Sequence, residues 1–411
     1  MLAARRPASS ASRAFVRRFS TAESAGVSVT ARDDQRPVSQ LSLVVKAGSR
    51  YQPAPGVARV LEKFAYRNTE ERSALRLVRE TELLGGQLST QLNRENLVLT
   101  AKFLREDLPY FVKALGDVAK STLFRPHELV EDVAPLTKLE YSLVRASQPD
   151  VVALEAAHEV AFRKGLGNSL YANLDVTPVT LDGVKTFGKE AYTKSNVKVV
   201  ASGVVPDDLN ELVEKHFKHL SSGAALESPA STFYAGEARI PAPESTGDSV
   251  VLAFPVKPSP VNTVIANVLG AVNPVKWSVG HNPLAVAAAK TGATFKAQVH
   301  SYSDADLITI TVNGDSTSVV RSGAQEAARV VKEAGASVNE DAVKRAVAQA
   351  TFANLARSEV DIVSAALAPA VNYSTIKTQD VKSALESLAK GKVALAAVGQ
   401  VHELPHLDEL F

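Results

Sequence analysis

Residues 56–63 read Gly-Val-Ala-Arg-Val-Leu-Glu-Lys, and this octapeptide decides how the rest of the 411-residue chain is interpreted. In a helix, residues at positions i and i+4 lie one above the other on the same face. Arg59 and Lys63 would therefore form a pair on one helix face, with Glu62 beside them. Taken alone, the stretch predicts only an amphipathic helix, so its meaning depends on the residues around it.

The octapeptide has the frame of the inverted zinc-protease motif H-x-x-E-H, with both histidines replaced. Arg59 and Lys63 stand at the two histidine positions, and Glu62 is retained. Two histidines at i and i+4 can share one zinc ion. A guanidinium has no lone pair to give and an ammonium group has no acceptor, whereas zinc needs neutral imidazole or anionic ligands. The sequence therefore predicts neither a zinc ligand set nor catalytic residues at this helix.

Three segments around the octapeptide extend the pattern. They are the strand 41–48 followed by Ser49-Arg50-Tyr51, a second strand within 83–92, and a helix that opens at 105–109. With the octapeptide, they resemble the mitochondrial processing peptidase family, the pitrilysin-type metallopeptidases, and its relatives among the core subunits of respiratory complex III. The resemblance covers essentially the whole chain after residue 27. Active members carry a third zinc ligand, a glutamate, at a spacing that falls here on Glu140, 77 residues after Lys63.

The resemblance makes Arg59, Glu62, Lys63 and Glu140 the positions of a degenerate zinc site. One interpretation is a residual general base, but without a metal nothing there would polarise a carbonyl or activate a water. The favoured interpretation is structural: the two cations neutralise the two carboxylates, since a half-buried carboxylate without a partner is costly. This interpretation predicts that Arg59 or Lys63 lies within ion-pair distance of Glu140.

The resemblance implies a non-catalytic structural core subunit of complex III, without a cofactor of its own. Such a subunit lies peripherally on the matrix side of the mitochondrial inner membrane. Its partners would be a homologous first core subunit, in a heterodimer, and the cytochrome b and cytochrome c1 subunits of a dimeric complex. It would support the assembly and stability of the complex that passes electrons from ubiquinol to cytochrome c.

The alternative function is the non-catalytic, presequence-binding α subunit of the processing peptidase. That subunit carries a dense glycine-rich loop early in its second domain. The matching stretch here, residues 270–280, has only Gly270 and Gly280, with Pro274 and Trp277 between them. This departure favours the core subunit.

Composition narrows the function classes further. The formal net charge of +2 gives no case for nucleic-acid binding. The chain has no cysteine, which excludes disulfides and thiol catalysis. No run approaches the 18 apolar residues that would indicate a membrane span. The first twenty residues contain five arginines, four serines and no acid, which predicts a mitochondrial transit peptide over 1–20, cut near Phe19.

The chain repeats itself weakly with a period near 200 residues. The strand 41–45 parallels 250–254, Gly86 parallels Gly292, and the segment 197–203 parallels 393–399. We therefore predict an α+β fold of two tandem homologous domains, 21–220 and 234–411. Each domain would have a mixed or antiparallel sheet with helices mainly on one face. The small-residue segment 221–233 is predicted to be a linker.

Two histidine patterns are weaker candidates for a metal site. His402-Glu403-Leu404-Pro405-His406 matches H-E-x-x-H, but Pro405 cannot lie inside the unbroken helix that a zinc site needs. It would fit better at the first position of a helix. His216 and His219, with Glu214 nearby, are predicted to lie on a solvated helix face rather than to bind a metal.

Overall fold

The computed structural model describes residues 19–270, 282–367 and 371–411. Nearly all of the predicted transit peptide 1–20 and, apart from Gly270, the stretch 270–280 lie outside the described residues. Among the described residues, no helix has both the length and the apolar composition that a membrane span requires.

The first half forms a six-stranded mixed sheet in the order β1-β2-β6-β3-β5-β4. Strands β2 and β6 pair in parallel, and the other neighbours are antiparallel. The strands are β1 (Ser20–Ser24), β2 (Val27–Arg32), β3 (Val38–Val45), β4 (Gln87–Leu92), β5 (Leu97–Leu104) and β6 (Val197–Ser202). The helices are α1 (Val57–Phe64), α2 (Ala74–Leu83), α3 (Leu108–Ser121), α4 (Ala134–Ser147), α5 (Pro149–Phe162), α6 (Leu181–Ala191) and α7 (Pro206–Phe217).

The second half forms a five-stranded sheet in the order β7-β11-β8-β10-β9, and its only parallel pair among the described strands is β7 with β11. The strands are β7 (Gly236–Pro241), β8 (Asp248–Val256), β9 (Thr294–Ser301), β10 (Asp306–Gly314) and β11 (Ala394–Gly399). The helices are α8 (Pro260–Leu269), α9 (Pro283–Thr291), α10 (Thr317–Ser337), α11 (Glu340–Val360), α12 (Ile362–Leu367), α13 (Thr378–Ala389) and α14 (Leu407–Leu410).

The two sheets have the same topology, and this confirms the predicted α+β fold of two similar units. The order β2-β6-β3-β5-β4 in the first half corresponds to β7-β11-β8-β10-β9 in the second, including the parallel pair. Strand β1 has no counterpart among the described strands of the second half. The segments 197–203 and 393–399, which the sequence repeat matches, contain β6 and β11. Each of these strands is the later member of the parallel pair in its sheet.

Each sheet is covered on its second face by a helix from the other half of the chain. Ala153, Ala157 and Ala161 of α5 are fully buried in a cluster with Val251 of β8 and Ala396 of β11. This crossing explains why α5 is mostly apolar and shows no polar stripe. The strands beneath it are buried on both faces, so β8 is a nearly continuous apolar run.

The opposite crossing is smaller. Ile362 of α12, from the second half, packs on Val44, Val98 and Val200 of the first sheet. Each half therefore contributes a helix that packs on the sheet of the other half.

Helix α2 does not bury the apolar face that its sequence suggests. Of the apolar residues at 74, 75, 77, 78 and 83, only Leu77 is buried, whereas Leu75, Val78 and Leu83 are exposed. The helix precedes β4, the outermost strand of its sheet, so only one side of it faces the body of the chain.

The segment between α7 and β7, which contains the predicted linker 221–233, has no helix or strand. It is nevertheless fixed to both halves by hydrogen bonds. Leu226 N–H donates to Asn196 Oδ1 at 2.9 Å, and Ser231 N–H donates to Asp304 Oδ2 at 2.9 Å.

Candidate functional site

Helix α1 is held tightly at its start. Gly56 precedes it with φ +88°, and a Cβ there would lie 2.8 Å from Ala172 Cβ. Both the backbone conformation and the space therefore call for glycine. The position is fixed further by Gln52, whose Oε1 accepts hydrogen bonds from the N–H groups of Gly56 and Ala58.

Arg59 is only 7% exposed and is held by contacts on several sides. Its Nη1 lies 2.7 Å from Glu62 Oε2, and its Nε donates to the Leu170 carbonyl at 2.8 Å. The guanidinium carbon lies 5.2 Å from the ring centroid of Tyr171, a cation–π distance. The side chain is therefore held in place on each side rather than projecting into solvent.

The four predicted positions come together as one charge cluster, which we call the α1–α4 cluster: Arg59, Glu62, Lys63 and Glu140. Lys63 Nζ lies 3.1 Å from Glu140 Oε2, and Arg59 Nη1 lies 3.6 Å from Glu140 Oε1. Lys63 Nζ is also 3.8 Å from Glu62 Oε2. The predicted ion pair between a cation of α1 and Glu140 of α4 is present, with both cations participating.

The second oxygen of Glu62 is also satisfied. Thr90 of the edge strand β4 donates from Oγ1 to Glu62 Oε1 at 2.8 Å. Glu62 is 3% exposed, so this bond and the Arg59 pair replace the water that burial removes. Two positive and two negative charges balance within the α1–α4 cluster.

The residues of the α1–α4 cluster do not fit a zinc ion. Arg59 and Lys63 offer no lone pair, and the two carboxylates already bind these cations. A divalent ion between the carboxylates would be repelled by both cations. Among the described residues, no group of three His, Cys, Asp or Glu side chains is arranged to hold a metal ion.

The sequence did not predict the residues that hold Arg59 from outside the cluster. Leu170 and Tyr171 are more than a hundred residues from Arg59 along the chain, and no local pattern signals their approach. Thr90 lies on β4, which follows α2 in the chain; strand alternation places it on one face of the sheet, but the sequence does not indicate that this face meets α1.

The C-terminal H-E-x-x-H match does not form a helix that carries both histidines. His402 lies in a turn, and His406 precedes α14. His406 Nδ1 lies 2.9 Å from Glu237 Oε1 instead. Pro405 lies two residues before the first residue of α14, so its predicted place at the first helical position is wrong.

His216 and His219 do not share a helix face either. Helix α7 ends at Phe217, so only His216 belongs to it, and this residue is half-buried. Glu214 Oε2 accepts the N–H of Ala25 at 2.6 Å and is therefore engaged elsewhere.

A buried polar group lies between α5 and the second sheet. His158 Nδ1 donates to the Leu154 carbonyl at 2.8 Å, so Nε2 of the neutral ring accepts from the Tyr302 hydroxyl at 2.8 Å. Burial lowers the pKa of His158 well below its usual range, and burial lowers the pKa of His300 to about 4. Nearby Arg94 acts in the same direction on the pKa of both rings. Both histidines are therefore neutral at physiological pH.

An ion-pair group, here called the Arg50 clamp, joins the halves at another point. Arg50 donates to both oxygens of Asp304 at 2.7 Å and lies 2.9 Å from Glu95. The hydrogen bonds from Arg50 lower the pKa of Asp304 to about 2. Arg50 and Glu95 belong to the first half, and Asp304 lies in the turn between β9 and β10.

Comparison with known proteins gives a consistent result along the chain. Residues 27–173 match the Insulinase (Peptidase family M16) family, and residues 178–350 match the Peptidase M16 inactive domain. A Yarrowia lipolytica protein named "Cytochrome b-c1 complex subunit 2, mitochondrial" is 45% identical over 96% of this chain and 97% of its own length. Proteins of the same name from Cryptococcus neoformans and Saccharomyces cerevisiae are 40% and 34% identical, over 96% and 93% of this chain and 95% and 96% of theirs.

Proposed function

Since this chain belongs to the M16 peptidase family, in the group of mitochondrial cytochrome b-c1 complex subunit 2 proteins, we propose that it is a non-catalytic core subunit that supports assembly of that complex. The complex itself passes electrons from ubiquinol to cytochrome c. In this proposal the chain contributes surface and rigidity, and it binds no cofactor of its own.

The α1–α4 cluster is the observation that supports a non-catalytic role. Peptide hydrolysis on this scaffold needs a metal that activates water. Arg59 and Lys63 stand where metal ligands would be required, and each is paired with a carboxylate. Glu62, the residue with the chemistry of a general base, has one oxygen on Arg59 and the other on Thr90. It is thus held by cations and a hydroxyl rather than free to accept a proton.

Exposed apolar side chains support a role among partner subunits. Leu136, Leu139 and Leu143 of α4 are 43%, 54% and 55% exposed and lie on the helix that carries Glu140. Clustered exposed apolar residues are typical of interaction surfaces. We propose that the partners are a homologous first core subunit, in a heterodimer, and the cytochrome b and cytochrome c1 subunits of a dimeric complex.

We further propose a peripheral position on the matrix side of the mitochondrial inner membrane, with residues 1–20 as the import signal. The basic, serine-rich and acid-free composition of these residues supports this assignment. The alternative function, the presequence-binding α subunit of the processing peptidase, has no observation in its favour among the described residues.

A native gel of mitochondria solubilised in mild detergent tests the proposed function. The gel is probed for this chain and stained for haem. We expect the chain to migrate with a large haem-positive assembly. Migration as a small, haem-free heterodimer that cleaves presequence peptides would overturn the proposal and support the alternative.

A zinc-binding experiment tests the assignment of the degenerate site. The full chain should take up no stoichiometric zinc, whereas the double variant Arg59→His/Lys63→His should bind zinc through its two imidazoles and Glu140. Adding Glu140→Gln to that variant is the matched control and should remove the binding. Equal zinc uptake by all three proteins would show that these positions are not the remnant of a zinc site.

A further inference from the structure

A cleft with a basic rim lies on the first half, and no residue of the α1–α4 cluster lines it. It has a volume of about 380 Å³ and is bordered by the ends of α3 and α6 and by the residues that follow α7. We call it the α3–α6 cleft. Lys120, Lys185, Lys189 and His219 line its rim.

The lysines of the α3–α6 cleft have no carboxylate partner among the described residues. No ion pair joins Lys120, Lys185 or Lys189 to an acid, whereas Lys290 and Lys344 each bind a glutamate elsewhere on the surface. Asp117 of α3 is bound to Arg72 at 3.1 Å, and Asp182 and Glu190 of α6 form no ion pair with these lysines. The rim therefore presents three lysines without a direct ion-pair partner in the described part of the chain.

The arrangement of the lysines on α6 destabilises this helix. Lys185 and Lys189 are i and i+4 on α6, and like charges at this spacing destabilise a helix. Cations in the last turn of a helix are favoured by its dipole, which accounts for one lysine at the end of α3 and one at the end of α6. The two helix ends together supply only about one negative charge. The dipole does not account for Lys185 in the middle of α6, although Asp182 lies three residues before it on the same helix.

The floor of the cleft is apolar and aromatic. Phe124 lines it in a left-handed backbone conformation, φ +47°, which is strained for an aromatic residue. Its ring packs at 5.2 Å from that of Phe64, and a Cβ at Gly188 would come within 3.2 Å of it. Strain of this kind persists where the surrounding structure holds it, and it concentrates at binding sites.

Tyr192 provides a second, independent polar feature. It lines the cleft and is 7% exposed, and its hydroxyl has no hydrogen-bond partner among the described residues. Burial raises the pKa of Tyr192, so the hydroxyl keeps its proton and remains a donor. The hydroxyl is not fully enclosed by protein atoms, so it can donate to an oxyanion that enters the cleft from solvent.

We propose that the α3–α6 cleft binds a phosphate-bearing ligand through Lys120, Lys185 and Lys189. Ammonium groups are suited to phosphate oxygens as mobile point charges. The apolar floor, with Phe124 and Tyr192, accommodates the uncharged part of such a ligand. The same chemistry is offered by a phospholipid headgroup and by free phosphate, so the experiment separates these two sources.

The experiment uses the full chain and two probes. Inorganic phosphate is titrated calorimetrically, and co-sedimentation is measured with phosphatidylcholine vesicles that contain or lack phosphatidic acid. The test variant is Lys185→Gln/Lys189→Gln, with Lys120→Gln as a second, single variant. The matched control is Lys102→Gln/Lys198→Gln, which removes the same charge from exposed residues outside the cleft. Circular dichroism confirms that each variant is folded.

We expect the wild-type chain and the control to bind at least one probe, and the double variant to bind it about tenfold or more weakly. Loss confined to the vesicle arm identifies a lipid headgroup, and loss in the titration identifies free phosphate. Equal binding by the cleft variants and the control, or no binding of either probe by the wild-type chain, overturns the proposal.

Discussion

The side chain of Arg59 makes the buried Glu62 tolerable. Glu62 is 3% exposed, and Arg59 Nη1 lies 2.7 Å from it. Removing one partner of a buried pair leaves an uncompensated charge, which costs far more than the pair itself contributes. Without Arg59, the Leu170 carbonyl would also lose its hydrogen-bond donor, the Nε of that side chain.

We therefore predict that Arg59→Ala lowers the free energy of unfolding by about 3 kcal/mol. Adding Glu62→Gln should restore part of this loss, because the uncompensated charge is removed with it. Chemical denaturation of the two single variants and the double variant measures the coupling. Additive effects of the two substitutions would contradict an Arg59–Glu62 interaction.

The residues of this site were predictable because their arrangement is largely local. Arg59, Glu62 and Lys63 belong to one helix, whose geometry follows from the period of 3.6 residues. Glu140 was located by the spacing of the family resemblance rather than by physics. The supports at Leu170 and Tyr171 depend on how a distant loop packs, and neither residue type indicates a contact with a guanidinium.

At the scale of elements, the strand that completes the parallel pair ends at a glycine in each half. Gly203 follows β6 with φ +74°, and Gly399 ends β11 with φ +119°. A Cβ at Gly203 would lie 2.9 Å from the Val38 carbonyl oxygen, and one at Gly399 would lie 1.7 Å from Asp248 Oδ1. Both the turn and the close approach of the neighbouring strand require glycine.

We predict that Gly399→Ala costs about 3 kcal/mol of stability, because backbone strain and a steric clash act together. Gly292→Ala is the control: its φ is +76° in the left-handed helical region, but nothing lies within 4 Å of the added Cβ. It should cost about 1 kcal/mol, from the conformation alone. Thermal unfolding of both variants measures the difference, and equal losses would contradict the role of the Asp248 contact.

The sequence predicted the strands and helix around the octapeptide and the repeat between the halves, but it did not predict the crossing of helices between the halves. The β-branched runs in β5 and β10 and the buried character of α5 are local signals. Which sheet an apolar helix covers depends on the path of the chain, and the composition of α5 fits either sheet equally well. Leu75 and Val78 of α2 are also apolar, yet they are exposed in the folded chain. The sequence alone does not show whether an apolar residue packs against its own chain or against another.

At the scale of the whole molecule, the buried histidines make stability depend on pH. His158 and His300 are neutral in the folded chain because their pKa values are depressed, whereas an unfolded histidine takes up a proton near pH 6.5. The unfolded state therefore binds more protons below that pH. Their contribution is fully present above pH 6.5 and is lost as the pH falls toward the folded pKa values.

We predict that the free energy of unfolding falls below pH 6.5 by about 1.4 kcal/mol per pH unit for each of these histidines. The fall should continue to about pH 4, the folded pKa of His300. His300→Gln should reduce the slope, whereas His402→Gln, at an exposed position, should leave it unchanged. Denaturant titrations across this pH range give the slopes. The same slope in all three proteins would contradict the assignment.

The Arg50 clamp predicts a second effect at this scale. Asp304→Asn removes one of the two anions bound by Arg50, whose side chain is only 4% exposed and keeps Glu95, and should cost about 2 kcal/mol. Asp132→Asn breaks the exposed pair with Arg67 and should cost less than about 1 kcal/mol. Hydrogen exchange of the β9–β10 turn reports the loosening directly. Unchanged exchange in Asp304→Asn would show that the clamp does not hold the halves together.

The exchange of helices between the sheets also constrains the order of events during biosynthesis. Helix α5 is made early, but the strands that cover it include β11, which ends at Gly399. A nascent chain that has reached only the end of α7 carries an apolar helix whose sheet has not yet been made. The first half therefore completes its native packing only after almost the entire polypeptide has been synthesised, so folding of this molecule is largely post-translational.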